Sequence, residues 1–372
     1  MNGIKRKLGE IGSYINGYAF NPEEWKSSGI PIIRIENLNN PKASYNYYQG
    51  EIEEKYRVVN GDILVSWSAS LDAYIWNNGD AVLNQHIFKV IPNDEVVDKG
   101  FLFFLLKKAI NGLAELVHGA TMKHVNRPVF ENFEVSFPKE LQTQRKLAIL
   151  LRETSVEIEK AREATEIQIG ELSNLANTII FESLKESDTV NYCLADVLDE
   201  VKNGIGCNWE NYPVYGATRQ GIALAKEPPG KNPQRYKPII PGTVFYNPMR
   251  ILIGSIAFAE DDVEDGITSP DYVVLKGKEG VVNSRWFYYW LRSPLGQQCV
   301  NSLARGAVRE RMLFNRLAEG SIDLPEIAIQ EKAAIALGSL KQMQKDLDKQ
   351  LQEIAELPTK ILTQVFNEIE NG

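Results

Sequence analysis

Cysteine, histidine and long apolar runs are scarce in this chain of 372 residues, and each scarcity closes off a class of function. The three cysteines, Cys193, Cys207 and Cys299, are odd in number and far apart. That argues against a disulfide framework and for a reducing compartment, the cytoplasm. The three histidines, His86, His118 and His124, stand far from every cysteine, so no zinc site is expected. No stretch approaches the roughly 18–20 apolar residues that cross a bilayer, and Ala148-Ile-Leu-Leu151 is cut at once by Arg152. Lys5-Arg6-Lys7 precedes no apolar segment and does not read as a secretory signal. Catalytic signatures are missing as well. Pro229-Gly-Lys-Asn232 is the nearest approach to a phosphate-cradling loop, and it lacks the first glycine and the hydroxyl. Neither a GxSxG elbow nor an HExxH helix occurs. Pro270-Asp271 has no acidic-x-Lys companion at nuclease spacing, and Glu53-x-Lys55 reads as a solvated charge run.

A repeat organises what is present. At about 100–200 residues per domain the length predicts two or three domains. Four pairs of segments recur in the same order. Leu8-Gly-Glu-Ile11 parallels Leu194-Ala-Asp-Val197, and Asn60-Gly-Asp-Ile-Leu-Val65 parallels Pro241-Gly-Thr-Val-Phe-Tyr246. Gly119-Ala120 and Phe137-Pro138 reappear 187 residues later as Gly306-Ala307 and Leu324-Pro325. The chain is thus two copies of about 185 residues. Each copy opens with strand-like runs between Gly, Pro and Asn turns: residues 30–35, 62–67 and 81–90, then 243–246, 251–253 and 272–275. A helical stretch follows in each, over 100–112 and 284–298. The fold class is α+β: two globular mixed α/β domains over 1–138 and 189–325, each followed by a long helix, over 139–188 and 326–372.

The helices carry a heptad seam, with gaps alternating four and three. In the first it runs through Leu147, Leu151, Thr154, Ile158, Ala161, Thr165, Gln168, Leu172, Leu175 and Ile179. In the second it runs through Ala333, Leu337, Leu340, Gln344, Leu347, Leu351, Ile354, Pro358, Ile361 and Val365. The pattern predicts a coiled coil, with a kink or break at Pro358. Paired antiparallel, two such helices would hold the globular parts apart at opposite ends. A helix of about 45 residues is roughly 68 Å long, two turns of B-DNA. Two globular readers held apart by such a ruler suit a long periodic ligand, and double-stranded DNA is one.

Charge gives no general DNA affinity, since the net charge is −8. The two globular stretches stand at −2 and 0, and each helix at −3. The basic residues are instead clustered, at equivalent places in the copies. After the Gly-Ala turn, copy one offers Thr121, Lys123, His124, Asn126 and Arg127, and copy two Arg305, Arg309 and Arg311. Arg and Lys can fork onto guanine, and Asn or Gln can read adenine. Polar residues at strand ends complete the candidate contacts: Ser66, Trp67, Ser68, Gln85, His86, Arg219, Asn247 and Arg250.

In these features the chain resembles the specificity subunit of type I restriction–modification enzymes, along nearly its whole length. The resemblance is carried by the two-fold repeat, by Gly61-Asp-Ile-Leu-Val-Ser-Trp-Ser-Ala-Ser70 and by Leu83-Asn-Gln-His-Ile-Phe-Lys-Val90. The loop from Gly119 to His124, the Phe-Pro…Gln-Arg lead into a long helix, and Tyr212-Pro-Val-Tyr-Gly-Ala217 add to it. The resemblance implies two target recognition domains, each reading one half of a split, asymmetric DNA site. It implies that the coiled coil fixes the spacer and docks two modification subunits, which carry adenine methylation with S-adenosylmethionine. Restriction subunits, with ATP- and Mg-dependent translocase and nuclease activity, would join that core. The chain itself would hold no catalytic site, cofactor or metal, and it lacks the [DN]PP[YF] methyltransferase motif. The competing reading is a coiled-coil adaptor that binds proteins or carbohydrate through its globular ends. It accounts for the acidic charge better and for the paired basic loops worse. A stand-alone enzyme is disfavoured by the missing motifs.

Overall fold

The computed structural model describes residues 3–40, 42–68, 71–118, 127–304 and 311–371. Contacts divide the chain into two compact units: Met1–Glu163 with Gln352–Gly372, and Ala164–Leu351. Each unit therefore combines a globular part with half of each long helix, whereas the sequence segments set the helices apart.

In the first unit, β1 (Gly3–Lys7), α1 (Leu8–Ile11) and β2 (Gly12–Asn16) lead to β3 (Ile30–Ile33), α2 (Ile35–Asn39) and β4 (Asn46–Tyr48). Then come β5 (Arg57–Val58), β6 (Ile63–Ser66), β7 (Asp72–Ile75), β8 (Ala81–Leu83) and β9 (Ile87–Pro92). Helices α3 (Lys99–His118) and α4 (Arg127–Glu131) precede β10 (Glu134–Pro138), from which α5 (Leu141–Lys185) departs. One sheet is antiparallel in the order β2-β9-β6-β7; the other runs β4-β3-β8-β5, with β3 and β8 parallel. β1 and β10 close the unit as an antiparallel pair, Gly3 opposite Pro138.

The second unit repeats the first sheet and the closing pair of this plan, while in place of the four-stranded β4-β3-β8-β5 sheet it has two two-stranded ones. β11 (Val190–Cys193), α6 (Leu194–Val197), β12 (Leu198–Glu200), β13 (Tyr215–Thr218), β14 (Gly221–Leu224) and β15 (Lys237–Ile239) come first. β16 (Val244–Tyr246), β17 (Ile256–Phe258), β18 (Gly266–Thr268) and β19 (Val273–Gly277) follow. α7 (Ser284–Arg292), α8 (Pro294–Leu303), α9 (Phe314–Leu317) and β20 (Ser321–Leu324) end at α10 (Ile327–Asn371). The sheet β12-β19-β16-β17 matches β2-β9-β6-β7 strand for strand, and β11 pairs with β20 as β1 does with β10.

The apolar runs at 63–65 and 244–246 have the same cause. Each is a strand buried on both faces. Ile63 and Val65 face the α3 side and Leu64 the second sheet. Likewise Val244 and Tyr246 face α7 and Phe245 the other side. The first half of α5 and the last turns of α10 join the first core through Ala148, Leu151, Leu362, Phe366 and Ile369. In the second unit Ile180 of α5 meets Ala333 and Leu337 of α10. There Lys332 pairs with Glu186 at 2.6 Å, while residues 172–177 and 340–344 line one cleft, so these helix segments run antiparallel.

Several sequence expectations need correction. The seam of α5 does not pass through Gln168 and Leu175, which face outward, Leu175 being 46% exposed. It passes through Ile169, Leu172, Ala176 and Ile180, because a 3.6-residue period drifts from a strict heptad. Pro358 stays inside α10 and does not end it. Residues 251–253 form a 3₁₀ turn rather than a strand, 81–90 splits into β8 and β9, and Pro294 divides the 284–298 helix in two.

One buried glutamine per unit fixes where the long helix starts. Gln144 and Gln330 are fully buried. Gln144 Nε2 donates to the carbonyls of Val96 (3.1 Å) and Pro138 (2.8 Å), and its Oε1 accepts from Asp98 N (2.8 Å). Gln330 does the same with Val281 (3.1 Å), Pro325 (2.9 Å) and Asn283 N (2.9 Å). A Gln330→Leu variant roughly keeps the volume and strands the buried Pro325 carbonyl, at about 1–3 kcal/mol, and the half-buried Val281 carbonyl and Asn283 N–H at less. We expect it to lower stability by about 3 kcal/mol, read from the shift in urea midpoint.

Candidate nucleic-acid interface

The candidate contacts of the first unit gather where β6 and β8 end. Trp67 and Ser68 follow β6, and Gln85 and His86 form the loop between β8 and β9. Trp67 N donates to His86 O at 3.4 Å, which joins the two loops. The indole stacks on Phe88, with centroids 5.8 Å apart and 22° between planes, and lies 5.6 Å from the His86 ring. Its Nε1 is buried without a partner among the described residues. His86 is exposed and Gln85 half-buried, with their Nε2 atoms 3.2 Å apart. The loop sits close against Gly17, where a Cβ would collide with the carbonyls of Leu83 and Asn84.

Ser66 is a correction. It is completely buried, and its hydroxyl accepts from Asp72 N (3.2 Å) and donates to Asp72 O (3.4 Å) across the β6–β7 hairpin. It shapes the loop and is not available to a ligand. Arg127 opens α4 and is exposed, with Nε 2.7 Å from Glu131 Oε1. Thr121, Lys123, His124 and Asn126 lie outside the described residues, as do Arg305 and Arg309 of the second unit.

The second unit brings Arg219, Asn247, Arg250 and Arg311 to one rim. Asn247 Oδ1 accepts from Met249 N (3.0 Å) and its carbonyl from Arg250 N (2.9 Å), shaping the β16–β17 loop. Arg219, on the β13–β14 turn, donates Nε to Ile253 O at 2.8 Å. Arg311 stands 3.8 Å from Asp271 on the β18–β19 loop, and Met312 N donates to Pro248 O at 3.1 Å. Lys237 anchors that second loop by donating to Tyr272 O at 2.7 Å. Burial pulls its ammonium below the usual range, and Glu200 at 3.8 Å offsets part of the shift.

Sequence reasoning missed two sets of residues here. Met249, Leu252 and Ile253 project into solvent beside Arg250, and apolar side chains at such a rim suit thymine methyl groups. The apolar run at 251–253 suggested a strand and concealed Leu252 and Ile253. Arg292 donates to Arg219 O at 2.6 Å, and the repeat could have revealed it, since it stands 185 residues after Lys107. No group of three or more potential metal ligands occurs among the described residues, and no helix described is long and apolar enough to cross a membrane. The rims offer hydrogen-bond donors, amides and ring faces, the inventory of a reader of base edges and backbone.

Residues 4–168 match the family described as the type I restriction modification DNA specificity domain. The chain is 26% identical over 137 residues to the type I restriction enzyme EcoBI specificity subunit of Escherichia coli. That match covers 36% of this chain and 29% of the relative, so the chain spans less than a third of that protein's length in alignment. Among solved structures it is similar to the type I restriction–modification S subunit from M. genitalium, with TM-score 0.53, 16% identity, and coverage of 98% of this chain and 96% of the other. A structure described as showing complex assembly and conformational transition of the type I R-M system gives TM-score 0.68 at 16% identity, covering 98% and 97%. Residues 4–168 are thus similar to the type I restriction modification DNA specificity domain, and along its length the chain has the fold of the S subunit structure it resembles.

Proposed function

We propose that this chain is the DNA-specificity subunit of a type I restriction–modification complex. Each unit reads one half of a split, asymmetric site in double-stranded DNA through its rim of loops. The paired long helices set the spacer between the half-sites and dock two modification subunits. Restriction subunits with translocase and nuclease activity complete the assembly, in the cytoplasm. The chain is not itself an enzyme: S-adenosylmethionine, ATP and Mg act in the partner subunits, and it holds no cofactor of its own. The observation that carries this reading is one sheet plan built twice, with rims of different chemistry. The first rim presents Trp67, Ser68, Gln85 and His86, and the second Arg219, Asn247, Arg250 and Arg311. Equivalent sheets with unlike donors at their rims fit a non-palindromic target. The acidic net charge fits a subunit whose general affinity for DNA comes largely from its partners.

The reading is tested by methylome sequencing of a host that expresses the chain with its candidate methyltransferase partner, against a host lacking only this chain. One split motif, methylated on adenine in both halves, is the expected result. No new methylation, with the partner folded and bound, would favour the protein-adaptor reading.

Two variants probe the division of labour. Arg250→Ala should weaken discrimination at the half-site of the second unit by about 1–3 kcal/mol and leave the other half unchanged. Equal loss on every duplex, random DNA included, would reduce Arg250 to a phosphate contact. Insertion of one helical turn within 155–170 should shift the preferred spacer, since a turn of about 5.4 Å is close to two base-pair steps. An unchanged spacer would sink the ruler.

A further inference from the structure

Each unit holds a cleft at the same place in the repeat, and the two clefts differ in charge. In the first unit, a cavity of 630 Å³ lies between α3, β7 and segments 151–158 of α5 and 358–362 of α10. In the second, a cavity of 250 Å³ lies between α7, the β13–β14 turn and segments 172–177 of α5 and 340–344 of α10. The residues that the helices contribute correspond one to one. Phe103, Phe104 and Lys107 of α3 become Tyr288, Tyr289 and Arg292 of α7, each 185 positions later. Ser155 and Ile158 of α5 become Lys341 and Gln344 of α10, each 186 later.

The first cleft is electrically balanced. Lys107 sits 2.8 and 2.9 Å from the carboxylate oxygens of Asp72, which lines the same cavity. The second is not. Arg219, Arg292 and Lys341 line it, and no carboxylate is among its described lining residues. Two of these cations are fixed by backbone: Arg292 donates to the carbonyls of Ile256 (3.0 Å) and Arg219 (2.6 Å), and Arg219 to that of Ile253. Glu260, the acidic group that acts most strongly on Lys341, is held by Arg285 at 2.9 Å. Lys341 Nζ donates to Gln344 Oε1 at 3.4 Å. Desolvation keeps its ammonium below the usual range; Glu260 and, more weakly, Asp348 offset part of this, and Arg292 and Lys345 add repulsion. Three cations converging where water is partly excluded are costly unless an anion meets them.

We infer that the cleft of the second unit binds a phosphate group, with charge from Arg219, Arg292 and Lys341 and hydrogen bonds from Ser173, Asn177 and Gln220. For its occupant the inference rests on the DNA-specificity reading. Arg219 belongs to both rim and cleft, so a backbone phosphodiester flanking the half-site of this unit is the natural source. A free phosphate offers the same chemistry.

The test uses the full chain, with its methyltransferase partner, on duplex DNA carrying the split site at several salt concentrations. Lys341→Gln should reduce the slope of log K against log salt by about 0.9, the signature of one lost phosphate contact, and weaken cognate and random duplexes alike. Lys341→Ser, which copies Ser155 of the other cleft, should do the same, and Lys341→Arg should keep the slope. Lys107→Gln, in the balanced cleft, should leave it unchanged. A second arm follows thermal unfolding of the full chain in inorganic phosphate without DNA. An unchanged slope together with phosphate stabilisation that Lys341→Ser abolishes would identify a free phosphate as the occupant. An unchanged slope with no Lys341-dependent stabilisation overturns the site. Should the wild-type chain prefer no duplex at all, the specificity reading fails and the phosphate arm alone decides the cleft.

Discussion

A buried primary amide with three backbone partners governs this architecture. Gln144 and Gln330 each tie together three things that the chain supplies at different times: the end of the last strand, the start of a globular-domain helix, and the first turn of a long helix. The last strand is itself paired with the first strand of the copy, so the same amide closes the domain and sets the departure of the long helix. The capping residue differs between copies, and the geometry does not. Asp98 accepts from Phe101 N, and Asn283 accepts from Arg285 N and Trp286 N. Moving the long helix relative to the sheet would leave one buried carbonyl unpaired, at about 1–3 kcal/mol, together with two half-buried backbone groups. Sliding is therefore opposed on every side of the amide.

With that joint fixed, the helix segments are drawn into the cores. Ala148 and Leu151 complete the first core with Leu362, Phe366 and Ile369, while Ile180 meets Ala333 and Leu337 in the second. Neither globular part buries its helix-facing surface with its own sequence copy alone. Each needs a turn or two of the helix that belongs, by sequence, to the other copy. This is why contacts divide the molecule across the helices, with the boundary at 163 and 352 rather than at the end of a domain.

Much of this was legible in the sequence, because backbone satisfaction and apolar burial leave periodic marks. The two-fold repeat, the doubly buried strands at 63–65 and 244–246, and both long helices announce themselves by spacing. The phase of α5 near Gln168 and Leu175 did not. There the heptad and the 3.6-residue stripe part company, and Thr165 and Ala176 lack the size to arbitrate. Residues 251–253 misled because Ile-Leu-Ile has the composition of a strand, while Arg250 and Gly254 bend it into a single turn, Gly254 taking φ 83°. Candidate site residues were legible as types but not as poses. Ser66 looks like a polar strand end and turns out to be consumed by its own hairpin, and Arg219 commits its Nε to a neighbouring loop. The cationic cleft was invisible for a different reason: Arg219, Arg292 and Lys341 come from three elements far apart in sequence, and only packing unites them.

The two copies keep what satisfies the backbone and vary what does not. The β2-β9-β6-β7 order, its twin, the closing strand pair and the amide joint are all retained. The single helix α3, by contrast, becomes α7 and α8, with a buried Ser293 capping the second piece ahead of Pro294. A break in a rim-supporting helix can be absorbed because its freed backbone groups find a local cap. A break at Gln144 or Gln330 would free the three backbone groups that this one amide holds. Divergence is thus channelled toward loops and cleft linings, where one substitution, serine to lysine at the equivalent of residue 155, helps turn a neutral cleft into a cationic one without disturbing the core. Duplicating the first sheet, the closing strand pair and the amide joint leaves the rims free to differ in chemistry.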